Sequence, residues 1–144
     1  MEELFEEAKS QFMLGHNEKA EELYTKIIDG CSAEVESSDG MRQILAEAFN
    51  NRGQIKYLRV DFDEAVEDYT AAIGINDSFA TAYYNRGQIH YRLARFKEGI
   101  EDFQKSLEYQ PDFSDAATAL QTAQEDLQRS VPSTPDADGA PETP

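Results

Sequence analysis

Asn51-Arg-Gly-Gln-Ile55 recurs as Asn85-Arg-Gly-Gln-Ile89, thirty-four residues further along the chain. The match extends on both sides at the same offset. Ala46 and Ala48 align with Ala80 and Ala82, Tyr57 with Tyr91, Phe62 with Phe96, and Phe79 with Phe113. Glu64 aligns with Glu98, and Glu67-Asp68 with Glu101-Asp102, giving 13 identities in 34 positions without a gap. An ungapped repeat of this length marks a chain built by stacking one supersecondary unit.

Each unit reads as two helices. In 46–79, Ala46, Phe49, Gly53 and Tyr57 form one helical stripe, and Ala65, Tyr69, Ala72 and Ile73 form the second. Val60-Asp61-Phe62-Asp63 supplies the turn, with Asp61 or Asp63 suited to cap the second helix. Pro111 follows the next unit's last helical turn, where a residue without an N–H stops a helix.

A weaker copy starts at the N-terminus, with Leu4, Ala8, Ala20 and Tyr24 at the equivalent positions. The stretch between the first two repeats carries 11 extra residues by comparison of Ala20 with Ala65, placed at Gly30–Gly40. Its glycines and small polar residues predict an exposed loop over 30–40 that contains Cys31 as a surface thiol. The repeats are then 1–29, 46–79 and 80–113. Ala117, Leu120 and Leu127 predict a capping helix over 114–129, because a terminal repeat must cover its open apolar face. Together these make a domain over 1–129. Residues 130–144 hold four of the five prolines in a polar, acidic setting, and the expectation is a disordered tail.

The period and these residues resemble the tetratricopeptide repeat (TPR) family. Its pattern asks for a large apolar residue at position 4, met by Phe49 and Tyr83, and for glycine at 8, met by Gly53 and Gly87. Positions 20 and 24 want Ala and an aromatic, met by Ala65 with Tyr69 and, less closely, by Gly99 with Phe103. Small residues at 8 and 20 let two helices touch, and the aromatics fill the space beside them. The resemblance implies an all-α, right-handed TPR-type α-solenoid of three helix-turn-helix repeats plus a C-terminal capping helix. The first helix of each pair would line a concave face.

It also implies a groove. The family's groove positions fall on Glu2, Phe5, Lys9, Phe12 and Met13, then Glu47, Asn50, Gln54, Tyr57 and Leu58, then Thr81, Tyr84, Gln88, Tyr91 and Arg92. Amides and tyrosines can bond an extended backbone while offering rigid apolar area. Tyr57 and Tyr91 suit either the groove or the core. Chaperone-binding members of the family clamp a C-terminal carboxylate with Lys, Asn and Arg at set positions. Here those positions hold Phe5, Lys9, Asn51, Thr81 and Asn85, of which only Asn51 matches. A buried carboxylate needs cations, so the expectation is no binding of chaperone C-terminal tails by that clamp.

The repeated arginines could recognise a phosphate or carboxylate. A structural pairing is the better reading. Arg52 and Arg86 stand at position 7 of repeats whose position 23 is Asp68 and Asp102, whereas the first repeat has neither partner. That predicts one ion pair per hairpin, Arg52 with Asp68 and Arg86 with Asp102.

Charge narrows the partners. With 29 acidic against 13 basic side chains, the net charge is −16. Nucleic acid and anionic membranes both need clustered cations, so neither is an expected partner. One cysteine cannot form an internal disulfide, and no apolar run has membrane-spanning length. The acidic N-terminus is unlike a targeting peptide. The expected location is the cytoplasm, with nuclear entry open. His16 and His90 are the only histidines, and neither has metal-ligand spacing to Cys, Asp or Glu. His90 reads as a satisfied packing residue. The sequence therefore predicts no catalysis, metal or cofactor, and a monomeric adaptor that binds another protein. The competing readings are a self-associating structural repeat and an acidic protein that sequesters a basic one.

Overall fold

The computed structural model describes residues 1–31 and 38–130. Seven helices follow one another: α1 (Glu2–Met13), α2 (Asn17–Cys31), α3 (Asp39–Leu58), α4 (Phe62–Ile75), α5 (Ala80–Arg92), α6 (Phe96–Tyr109) and α7 (Ser114–Ser130). Among the described residues there is no strand. Each helix packs on the next, so α1–α2, α3–α4 and α5–α6 form three stacked hairpins with α7 against α6. The tail beyond 130 and positions 32–37 of the expected loop lie outside the described residues.

Gly53 and Gly87 show why the hairpins close as they do. A Cβ at Gly53 would lie 2.8 Å from Tyr69 Cε1, and one at Gly87 would lie 2.7 Å from Phe103 Cε1. No carbon can sit that close, so only glycine lets the ring of the second helix approach the first this closely. Tyr69 and Phe103 are each about 1% exposed. Burying a side chain such as Phe103 contributes about 1.5–3 kcal/mol. In the first hairpin Ala8 stands in the glycine's place, and Phe5 meets Tyr24 edge-on at 6.2 Å.

The helix bounds differ from expectation in the segment 30–40. α2 continues through Gly30 to Cys31, and α3 starts at Asp39, well before position 46. Ser38 caps α3, its Oγ accepting from the Met41 N–H at 3.3 Å. Burial stabilises the added turns: Leu45 is in the core with Ile27 and Cys31, and Met41 and Ile44 pack against them. Cys31 is accordingly a buried side chain and not a surface thiol. The glycines misled because Gly30 and Gly40 sit in helical turns rather than ending them.

The expected aspartate cap of α4 is also corrected. Asp61 holds the N-cap position, yet its side chain makes no cap hydrogen bond. Its carboxylate accepts from Arg59 Nε at 2.7 Å. A charge-assisted bond to guanidinium outcompetes one to a neutral N–H.

Candidate partner-binding groove

The first helices α1, α3 and α5 place the expected groove residues, but not all on open surface. Phe5 is 6% exposed and belongs to the core, not to the groove. The Lys9 ammonium lies 5.0 Å over the Phe5 ring and pairs with Glu6 at 3.4 Å. Phe12 is half-buried against the same core cluster. The N-terminal third of the concave side thus contributes mainly packing.

In the middle third the asparagines bond to one another. Asn85 Nδ2 donates to Asn50 Oδ1 at 3.0 Å, Asn50 Nδ2 to Asn51 Oδ1 at 3.4 Å, and Asn51 Nδ2 to the Tyr24 hydroxyl at 3.2 Å. This chain ties α5, α3 and α2 together. Asn50 is only 4% exposed, so its amide is committed to this ladder and does not face a ligand. Burial first, offset by the Asn51 bond, pushes the Tyr24 phenol above its ordinary range. Gln54, one turn on from Asn50, is half-buried.

The C-terminal third holds the remaining set. Tyr57 packs on Phe62 at 5.6 Å. Tyr84 meets Phe113 at 4.9 Å and Phe103 at 5.9 Å, while its hydroxyl accepts from Gln88 Nε2 at 2.9 Å. Desolvation raises the Tyr84 pKa. The Arg92 guanidinium lies 5.8 Å over the Tyr57 ring and 5.9 Å over the Phe62 ring, and its Nη1 reaches the Tyr57 hydroxyl at 3.4 Å. The Tyr91 ring meets Phe96 at 5.6 Å, and its hydroxyl donates to the Asp126 carboxylate of α7. That bond, ahead of desolvation, raises the Tyr91 pKa.

Tyr57, Gln88, Tyr91, Arg92, Phe103, Ala119 and Thr122 enclose a cavity of about 260 Å³. Phe103 from α6 and Ala119 and Thr122 from α7 were not anticipated. A signal for α7 existed. Counting the repeat onward from Ser114 puts Thr122 at position 9 and Asp126 at position 13, both groove positions. α7 therefore keeps the register of a repeat's first helix.

The charged pairs lie between helices of one hairpin. Arg52 Nε and Nη2 donate to the two Asp68 oxygens, both at 2.8 Å, and Arg86 does the same to Asp102 at 2.9 and 2.8 Å. A third contact reaches the preceding repeat: Arg52 Nη1 to Thr25 Oγ1 and Arg86 Nη1 to Thr70 Oγ1, each at 3.2 Å. Lys56 adds a 3.0 Å contact to Asp68, and His90 stands at the matching place, 3.7 Å from Asp102. The bond to Asp68 raises the Arg52 pKa against the cost of burial, and Asp102 does the same for Arg86. His90 is not the satisfied residue expected, since its buried Nδ1 has no hydrogen-bond partner among the described residues. Burial holds its pKa below the ordinary histidine value.

Among the described residues, no three His, Cys, Asp or Glu side chains are arranged to hold a metal ion, and no helix is long and apolar enough to cross a membrane.

Comparison with known proteins agrees with this architecture. The family model described as Tetratricopeptide repeat matches residues 80–113, and a second, described as TPR repeat, matches 53–93. Solved structures of similar fold include the first TPR of Spaghetti (RPAP3) bound to an HSP90 peptide, with 25% identity and a TM-score of 0.73. That match covers 87% of this chain and 90% of the other. The Arabidopsis OM64 TPR domain is 25% identical with a TM-score of 0.74, over 86% and 93% of the two chains. The second TPR domain of human RPAP3, in complex with an HSP70 peptide, is 26% identical with a TM-score of 0.67, over 83% and 90%. The fold is the all-α TPR fold, and the two family models together match residues 53–113 as TPR repeats. Two of these neighbours hold chaperone peptides, so likeness of fold gives no support to the expected exclusion of chaperone tails.

Proposed function

We propose that this chain is a non-catalytic protein-interaction module that receives an extended peptide or a helix of another protein in its concave groove. The carrying observation is that half-buried Tyr57, Gln88 and Tyr91 with exposed Arg92 line a side-chain-sized cavity, with half-buried Gln54 at an expected groove position one helical turn before Tyr57 and Leu58. Neighbours of the same fold bind chaperone peptides, which supports a peptide as the kind of ligand. The clamp itself is not part of the reading. Phe5 is buried in the core, Asn51 bonds Tyr24, and Thr81 and Asn85 bring no charge to a carboxylate. α7 packed over α6 favours a monomeric adaptor over end-to-end stacking. The acidity, −16 over the chain, favours a protein in the cytoplasm or nucleus over nucleic acid or membrane as partner. Within the family, Asn50–Phe62 resembles the second repeat of tetratricopeptide repeat protein 32, a likeness that brings no defined activity with it.

A photo-crosslinking residue placed at Gln54 tests the groove against the same residue at exposed Lys26 on α2. Crosslinks to partner proteins in cells should form from position 54 and be absent from position 26. Crosslinks confined to position 26 would move the interaction surface off the groove.

A further inference from the structure

We propose that the cavity beside Arg92 takes one apolar side chain from an internal segment of the partner, with an acidic residue next to it pairing with Arg92. This rests on the groove reading above and names the chemistry that the groove selects. The cavity, about 260 Å³, is smaller than the roughly 300–1,000 Å³ of small-molecule sites. Its lining is mainly apolar, with Tyr57, Tyr91, Phe103 and Ala119 beside Thr122. Its polar groups, the Gln88 amide and the Arg92 guanidinium, suit the backbone and a charge flanking an inserted side chain.

Charge decides the flank. Most cations of the chain are engaged in ion pairs, such as Arg52 and Lys56 with Asp68, Arg59 with Glu21 and Arg86 with Asp102. Arg92, Arg95 and Lys97 have no ion pair within the described residues, and they lie within six residues of one turn. Lys26 and Arg42 also lack an ion pair within the described residues but stand apart from each other, so in a chain of net charge −16 that turn is the cationic cluster that draws in an acidic segment. The Arg92 guanidinium lies over the Tyr57 and Phe62 rings and reaches the Tyr57 hydroxyl through Nη1, which leaves its other N–H groups for a carboxylate. α7 is part of the site. Ala119 and Thr122 form one wall, and small side chains there set the cavity's depth.

An internal segment differs from a chaperone tail because it has no terminal carboxylate. The test uses acetylated and amidated peptide arrays with a central Leu, Phe or Gly and flanks of Glu, Gln or Lys. The full chain should bind the Leu and Phe peptides with Glu flanks most strongly. Arg92→Glu should weaken these about tenfold or more, the loss expected of a charge-assisted contact, and shift preference to Lys flanks. Thr122→Leu, or Ala119→Leu if that variant melts early, should abolish the advantage of Leu over Gly and keep the preference for Glu. Binding that requires a free C-terminal carboxylate would overturn the inference, as would indifference to Arg92→Glu or no binding to any peptide. In each of those cases crosslinks from Gln54 would still uphold the groove, whereas their absence would remove both.

Discussion

The Arg86 guanidinium spans three helices: it grips Asp102 on α6 through two hydrogen bonds of 2.9 and 2.8 Å, and touches Thr70 on α4 at 3.2 Å. Arg52 repeats the arrangement one unit earlier with Asp68 and Thr25. The arginine therefore joins the two helices of its own hairpin and also fastens that hairpin to the previous one. In a solenoid, stability is the sum of unit and neighbour terms, and this side chain contributes to both.

Removing one partner should leave a buried Asp102 or a half-buried Arg86 without its bidentate partner. Arg86→Ala and Asp102→Ala should each cost about 1.5–3 kcal/mol, in the range for hydrogen bonds to charged groups. The double variant should cost less than the sum, with a coupling of about 1–2 kcal/mol. Urea denaturation of the four proteins measures this, and strict additivity would show that the pair is not coupled. Thr70→Val should cost less than either, since that contact is exposed.

Two glycines should respond in opposite directions. Gly87→Ala puts a methyl group 2.7 Å from Phe103 Cε1 and 3.1 Å from Asp102 Cβ. Phe103 is 1% exposed and has no room to retreat, so the change should destabilise by about 1–3 kcal/mol despite alanine's better helix propensity. Gly74 lies near the end of α4, and a methyl group added there would meet nothing within 4 Å. Gly74→Ala should stabilise by about 0.4–1 kcal/mol, by restricting the unfolded chain. Thermal melts of the two variants check both signs.

The turn within each hairpin contains one left-handed residue at the same repeat position: Gly15 at φ 82°, Val60 at 68° and Ala94 at 61°. A β-branched residue is the worst occupant of that region, where an L-residue is disfavoured by about 1–2 kcal/mol. Val60 is 66% exposed and loses little burial if truncated. Val60→Gly should therefore stabilise the fold and raise the melting temperature, by about 1 kcal/mol less the entropy that glycine adds to the unfolded chain. An unchanged or lower melting temperature would show that the strain is relieved elsewhere.

These residues also show how far sequence alone reached. The thirty-four-residue spacing located α3 to α6, because close packing at Gly53 and Gly87 leaves a visible pattern of small and aromatic residues. It missed the early start of α3, because Gly30 and Gly40 resemble loop residues while the reason for helix there is burial of Leu45 and Cys31 against distant partners. The site was legible in the same uneven way. Position within α5 brought Gln88, Tyr91 and Arg92 together, since a helix sets its own faces. The commitment of Asn50 to Asn85 depends on a contact between residues 35 apart, which local pattern does not encode, whereas the wall made by α7 shows only when the repeat is counted past Ser114.

Acid should weaken the fold through His90. It stands at the place of Lys56, close to Asp102, but burial outweighs that carboxylate and lowers its pKa. Arg86 and Arg95 act in the same direction as burial, and Glu98 acts with Asp102 against it. The unfolded chain, with an ordinary histidine near 6.5, then takes up the proton more readily than the folded one. Stability rises with pH wherever the unfolded state binds more protons. His90 thus costs nothing above about pH 7.5 and progressively destabilises the fold as pH falls through about 6.5. Melting temperature should drop between about pH 7.5 and 5.5. His90→Gln should flatten that dependence, because glutamine takes up no proton in this range. A wild-type melting temperature that holds or rises on acidification would mean that Asp102 and Glu98 prevail over burial, and that His90 is charged in the folded protein.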